Sequence, residues 1–80
     1  MEVEAEVSLY PLGEKEFRRE AELFVEVLRE HGSHVEVGDM SYLVEGESDV
    51  VFDALRAGYE YTASRGGCVL VVKACNACSL

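Results

Sequence analysis

Basic residues are scarce in this 80-residue chain: seven lysines and arginines stand against sixteen aspartates and glutamates, for a net charge of −9. That balance leaves no electrostatic footprint for a phosphate backbone and argues against nucleic acid and anionic membrane surfaces. A cationic small molecule is the better-matched partner, although most of these charges serve solubility. Long apolar runs are missing as well. No stretch approaches the roughly 18–20 residues of a membrane span, and the N-terminus opens on Glu2 and Glu4 rather than on a basic segment, so a cytoplasmic location is expected. Cysteines number three, an odd count that fits reduced thiols better than a disulfide framework. With one proline and no low-complexity tract, nothing marks a linker, and residues 1–80 are expected to form one domain.

Catalytic signatures are also lacking. No nucleophile sits beside an evident base, the glycines mark turns rather than a phosphate cradle, and no carboxylate pair is set apart for acid–base work. The chain is therefore expected not to be an enzyme. Cys75 and Cys78 form a C-x-x-C, which opens the alternative of a thiol-based metal or redox protein. One such pair lacks the second that makes a zinc site convincing, and it follows a strand instead of opening a helix whose dipole would lower a thiol pKa. Cys68 would lie roughly 20 Å away along an extended strand. His31 and His34 flank Gly32-Ser33, where a helix-end role is commoner than metal ligation.

What the chain has in plenty is apolar residues, 49% of the total. That is more than a small core hides easily, and a core of this size supplies only about 3–5 kcal/mol unaided. A homo-oligomer, joined through an open sheet face or sheet edges, is the expected remedy.

The order of elements follows from periodicity. Val3, Ala5, Val7 and Leu9 alternate with Glu4, Glu6, Ser8 and Tyr10, the pattern of a strand with one face on a core. Pro11-Leu12-Gly13 closes it. From Glu14 to Glu30 the residues Phe17, Ala21, Phe24, Val25 and Leu28 recur at helical spacing, with Glu14 and Glu16 at the positive end and Gly32 as a stop. His34–Val37 and Ser41–Glu45 read as a hairpin about Gly38-Asp39. Ser48 is a good N-cap for a second helix whose apolar stripe is Val51, Phe52, Leu55, Tyr59 and Ala63. Gly58 within it suggests a close helix-to-sheet approach. Gly66-Gly67 ends the helix, and Val69–Lys73 is the last strand.

A βαββαβ chain of this kind is an α+β fold, most simply a ferredoxin-like sandwich: a four-stranded antiparallel sheet in the order 4-1-3-2 with both helices on one face. The uncovered face then presents Glu4, Glu6, Ser8 and Tyr10 from strand one and Glu36 from strand two. Strand three adds Ser41, Leu43 and Glu45, and strand four adds Val69, Val71, Lys73 and Cys75. Its apolar members suit a second subunit's sheet. Its polar members could frame a ligand, with Tyr10 supplying a flat stacking surface and a hydroxyl.

Ser8-Leu9-Tyr10-Pro11-Leu12, Val44-Glu45-Gly46-Glu47, Val51-Phe52-Asp53-Ala54-Leu55 and the tail Lys73-Ala74-Cys75-Asn76-Ala77-Cys78 together resemble the thiamine and hydroxymethylpyrimidine-binding proteins of the YkoF type. The similarity runs in order over nearly the whole chain. It implies an oligomeric ferredoxin-like domain that binds thiamine or its pyrimidine moiety without catalysis. Ser8 and Tyr10 would then face the ligand, and Asn76 would be a polar contact from the tail. The family's usual tail reads Ser-Asn-Ala-Cys-Pro; here Cys75 replaces the serine and is the weaker donor, and Ser79 replaces the proline. Thiamine carries a planar aminopyrimidine, suited to stacking and paired hydrogen bonds, and a permanently charged thiazolium, suited to carboxylates. The expected ligand set is therefore Ser8, Tyr10, Glu45, Asn76, Glu6 and Ser41, with Glu45 or Glu6 near the cation and no separate cofactor or metal. A regulatory domain of the same topology that senses an amino acid is a further alternative.

Overall fold

A computed structural model describes residues 1–13 and 16–77. The elements run β1 (Glu2–Pro11), α1 (Phe17–Glu30), β2 (His34–Val37), β3 (Tyr42–Glu47), α2 (Ser48–Ser64) and β4 (Cys68–Cys75). The strands form one antiparallel sheet in the order β2-β3-β1-β4, the expected order read from its other edge. The fold is the ferredoxin-like α+β sandwich, and the face of the sheet opposite the helices is open.

Period-two alternation determines which face of β1 is covered. Val3, Ala5, Val7 and Leu9 are buried with Val35, Tyr42 and Val44 from the neighbouring strands, and Phe24, Val25, Leu28, Val51, Ala54 and Leu55 of the helices close the core over them. α1 stops in a Schellman arrangement. The Ser33 N–H reaches the Leu28 carbonyl at 3.2 Å and the Gly32 N–H the Arg29 carbonyl at 3.0 Å, with Gly32 at a φ of +88° that glycine adopts without strain.

Several local expectations differ from the structure. α1 begins at Phe17, and Glu14 lies outside the described residues. Ser48 is the first residue of α2 rather than its cap; the capping position falls on Glu47, whose side chain makes no capping bond. The buried line of α2 is Val51, Ala54, Leu55, Gly58 and Thr62, while Phe52 and Tyr59 are exposed. The reason is the close approach at Gly58, which is made to α1 and not to the sheet. A Cβ on Gly58 would sit 2.8 Å from Phe24 Cε1 and 3.2 Å from Leu28 Cδ2. The smallest side of α2 faces α1, and the aromatic side is turned away.

Glu20, a carboxylate among the residues of α1, is buried. Arg65, just past α2, grips its carboxylate through Nε at 3.0 Å and 3.2 Å and through Nη2 at 3.0 Å. This contact holds the start of one helix to the end of the other, and the carboxylate raises the Arg65 pKa further above its usual value. Two-atom recognition of a buried carboxylate is the geometry in which an ion pair matters to folding.

Two substitutions test this packing. Gly58→Ala should lower the unfolding free energy by about 1–3 kcal/mol through overpacking against the Phe24 ring, although alanine gains about 1 kcal/mol in helix propensity. Urea titration followed by circular dichroism measures the difference, and an unchanged midpoint would mean that the ring has room to move. Arg65→Ala should lower Tm by more than Arg56→Ala, because Arg56 only meets Glu60 at 3.3 Å on the exposed side of α2.

Candidate functional site

β1 is the longest strand, and its two neighbours do not match it. β4 accompanies it from Glu4 to Pro11, whereas β3 pairs with it only from Glu2 to Val7. Beyond Tyr42 the chain leaves the sheet through Ser41 and the tight turn in which the Gly38 N–H donates to the Ser41 carbonyl at 2.9 Å. Ser8–Pro11 therefore keeps one unpaired edge, and among the described residues no hydrogen bond joins that edge to the hairpin.

The direction of the main-chain groups at this edge follows from two contacts. On the β3 side the Ser48 N–H reaches the Met1 carbonyl at 2.8 Å, and on the β4 side the Leu12 N–H reaches the Gly67 carbonyl at 2.9 Å. In an antiparallel ladder these directions alternate, so odd-numbered residues of β1 point toward β3 and even-numbered ones toward β4. Leu9 thus turns both its N–H and its C=O to the open edge. Pro11 turns only a carbonyl there, which is where a strand can hold a proline without losing a ladder bond.

That edge lines a groove of about 1390 Å³ between α1, the β2–β3 turn and the end of β1. Ser8, Leu9 and Tyr10 form its β1 wall, Phe17 and Glu22 lie on the α1 side, and Met40 stands at the turn. The residues around it are unusually apolar for exposed positions: Tyr10 is 50% exposed, Phe17 57% and Met40 90%. Phe17, expected in the core stripe of α1, instead borders this groove. Charged side chains share the lining: Arg18, Glu22, Glu26, Arg29, Glu30 and Asp39, so the groove joins apolar surface to polar groups, as small-molecule sites do. Tyr10 brings an aromatic face, Ser8 and Ser41 bring hydroxyls, and Leu9 brings a donor and an acceptor from the main chain.

The expected ligand residues divide into two groups. Ser8, Tyr10 and Ser41 line the groove, Ser41 from the turn rather than from β3. Glu6 follows Ser8 on the open face, opposite Leu43 on one side and Lys73 on the other, and its carboxylate stands 3.6 Å from Lys73 Nζ. Glu45 is farther along, opposite both Glu4 and His34. Asn76 lies beyond Cys75, which is opposite Glu4, whereas Tyr10 is opposite Val69. Six strand residues separate the two ends, about 20 Å, so one chain does not bring Asn76 to the groove. The main-chain edge of Leu9 and the α1 carboxylates Glu22 and Glu26 were not foreseen. Only an unequal pairing length, which sequence does not display, would have signalled them.

Other groups of chemical interest sit apart from the groove. His34, Glu36 and Glu45 bring ligating atoms within 4.8 Å of one another on the open face. His31 caps its helix end, with Nδ1 3.0 Å from the Val27 carbonyl. Cys68 is a free thiol opposite Pro11, but Cys75 is disulfide-bonded, a correction to the expectation of reduced thiols throughout. Cys78 lies outside the described residues.

The family model described as thiamine-binding protein matches residues 5–74. Among solved structures, a hypothetical protein of Methanocaldococcus jannascii superposes with a TM-score of 0.88 at 23% identity, covering 99% of this chain and 84% of that one. A domain of unknown function from Bacillus cereus gives 0.83 at 24% identity, over 99% and 79%. A candidate thiamine biosynthesis or salvage protein of Thermotoga maritima gives 0.81 at 21%, over 92% and 82%. At these identities the structural likeness speaks for the fold. No curated protein matches in sequence.

Tyr42 provides a pH test of the wall beneath the groove. It is buried, its ring centroid 6.0 Å from that of Phe24, and burial raises its phenol pKa above the ordinary 10.0. The folded chain thus holds this proton to higher pH than the unfolded chain does. Its contribution to stability is intact below about pH 10 and is lost as the pH rises through the folded value. Tyr42→Phe should lose less of its denaturation midpoint than the parent when both are moved from about pH 9 to about pH 11; parallel declines would remove Tyr42 from the alkaline response.

Proposed function

The chain belongs to the thiamine-binding protein family, and from that premise we propose that it is a non-catalytic binding protein for thiamine or its hydroxymethylpyrimidine moiety, acting as a homo-oligomer. The groove at the free end of β1 is the proposed seat of the pyrimidine. The observation that carries this reading is the Leu9 edge beside Tyr10. A donor and an acceptor fixed on one strand match the paired amino group and ring nitrogen of an aminopyrimidine, and an exposed tyrosine ring gives its flat face a stacking partner. Ser8 and Ser41 hydroxyls serve the remaining polar atoms.

The thiazolium is a permanent cation, and the groove lining favours it on balance, with Glu22, Glu26, Glu30 and Asp39 against Arg18 and Arg29. Glu22 and Glu26 line the groove, and Glu6 and Glu45 line the open sheet face that continues from it. Glu6 already meets Lys73, so its contribution is the smaller, and Glu45 acts only on a ligand that extends along the face. Asn76 lies about 20 Å from the groove within one chain, so it serves as a polar contact only where another copy in the homo-oligomer brings its tail there. Binding itself, by stacking and hydrogen bonds, requires no group that attacks or transfers anything. No helix among the described residues is long and apolar enough to cross a membrane, which fits a protein handling a water-soluble ligand.

Titration calorimetry with the two ligands checks the assignment of parts. Tyr10→Ala should weaken thiamine and hydroxymethylpyrimidine alike, by about 1–3 kcal/mol as lost stacking commonly does. Glu6→Gln with Glu45→Gln should weaken thiamine only, and by less than about 1 kcal/mol per exposed charge, because hydroxymethylpyrimidine carries no cation. Absence of heat with both ligands at millimolar concentration would sink the reading.

A further inference from the structure

We propose that His34, Glu36 and Glu45 form a binding site for a divalent first-row transition cation such as zinc, on the open sheet face where β2 pairs with β3. None of the three lines the groove, and the proposal does not rest on the thiamine reading.

The register of the sheet places the donors. β2 is a short edge strand, His34–Val37, paired with β3 so that His34 faces Glu45, Val35 faces Val44 and Glu36 faces Leu43. Val35 and Val44 are buried in the core, so the residues on either side of them point to the open face. Glu45 thus stands directly across from His34 and diagonally from Glu36, the two relations in which long side chains of a strand pair meet. The backbone beneath is held from below: Val35 packs into the core, and Arg29 Nη2 donates to its carbonyl at 2.9 Å. A slip of one residue would turn all three charged or polar side chains toward the core. The pairing that builds the core therefore also builds the cluster.

The donor set decides which cation fits. One ligating atom from the imidazole and one from each carboxylate lie within 4.8 Å of one another, and His34 Nε2 is 3.7 Å from Glu36 Oε1. Bonds of about 2.0–2.2 Å to a shared ion set its ligands about 3–3.5 Å apart. The ion thus has to draw the donors together by about 1 Å, a small rotation for side chains that reach outward from a fixed backbone. His34 and Glu36 have that freedom, their side chains being 68% and 64% exposed. A nitrogen donor favours zinc, nickel or cobalt over magnesium and calcium, which take oxygen ligands. Three protein donors leave the remaining coordination to water, which an exposed site supplies.

The surrounding charge points the same way. Glu4 faces Glu45 from its other flank, on β1, and like charges directly opposite one another in a ladder are destabilising. Among the described residues no lysine or arginine pairs with Glu4, Glu36 or Glu45, and Lys73, on the same face, is taken by Glu6. A dication held by His34, Glu36 and Glu45 offsets the repulsion of three carboxylates and clips the four-residue edge strand to its neighbour. Because it binds only where the strands are paired, it stabilises the folded chain as its concentration rises.

Zinc is the probe. Titration calorimetry of the chelator-treated chain should show one ion bound per chain, and Tm should rise with zinc concentration. His34→Gln and Glu45→Gln should each weaken zinc about tenfold or more, the scale on which metal sites respond to lost support. His31→Gln and Cys68→Ser should keep the parental affinity, and excess magnesium should not compete. A parent that binds no zinc at millimolar concentration, a His34→Gln variant of parental affinity, or a Cys68→Ser variant that loses the ion overturns the site. Cobalt, which accepts the same ligands, locates the ion in the parent without any substitution. Its pseudocontact shifts in nuclear magnetic resonance should radiate from His34 and Glu45, and an origin among Glu22, Glu26 and Glu30 of α1 also overturns the proposal.

Discussion

Hydrogen-bond satisfaction along β1 is the constraint on which the rest of the structure depends. A central strand must exchange main-chain bonds on both flanks wherever it is buried. β1 does so from Glu4 to Val7, between β3 and β4. Past Val7 the hairpin has already turned, and the strand continues with one flank open. The groove is therefore a consequence of unequal strand lengths: Ser8, Leu9 and Tyr10 stay rigid because β4 holds them, while Leu9 keeps main-chain groups unspent. A site on a strand held from one side combines fixed geometry with free polar atoms, a combination that a loop does not offer.

The helical layer is built to leave that end open. Gly58 lets α2 approach the Phe24 ring of α1 closely, and the Glu20–Arg65 pair holds the helices at the start of α1. Arg29 then ties α1 to β2 through the Val35 carbonyl at 2.9 Å. With α1 held at both ends, its outer side bearing Phe17 and Glu22 stands as a fixed wall. The same compaction draws α2 toward α1 and away from β4, whose outer half is left without a helical cover.

The fold was legible because its signals are local. Alternation in Val3–Leu9, helical spacing around Phe24, Val25 and Leu28, and the glycine after His31 each act within a few residues, and together they leave one simple packing. The resemblance added the family and the residues Ser8, Tyr10 and Asn76. Phe17 and the Phe52–Tyr59 flank differ from the expected apolar stripes, and Glu20 is buried where its charge would suggest exposure, for a common reason. Helical periodicity gives the direction of a side chain and not the depth of the neighbour it meets, so it shows neither that a carboxylate has a remote guanidinium partner nor that an aromatic ring is left half exposed. The unpaired edge of Leu9 was hidden more deeply, since it depends on where another strand stops.

The acidic character of the chain ties these levels together. On the proposed reading the surplus of carboxylates attracts a cationic ligand. Carboxylates occupy the open face through Glu4, Glu6, Glu36 and Glu45 and the outer side of α1 through Glu22 and Glu26; β4 is spared. Because Lys73 sits among them, its contact with Glu6 lowers the negative potential next to β4 and leaves the groove side the more attractive to a cation. On the same proposed reading, a ligand drawn by that field arrives at the Tyr10 end, where aromatic and main-chain groups, which carry no net charge, supply the selectivity that charge alone lacks.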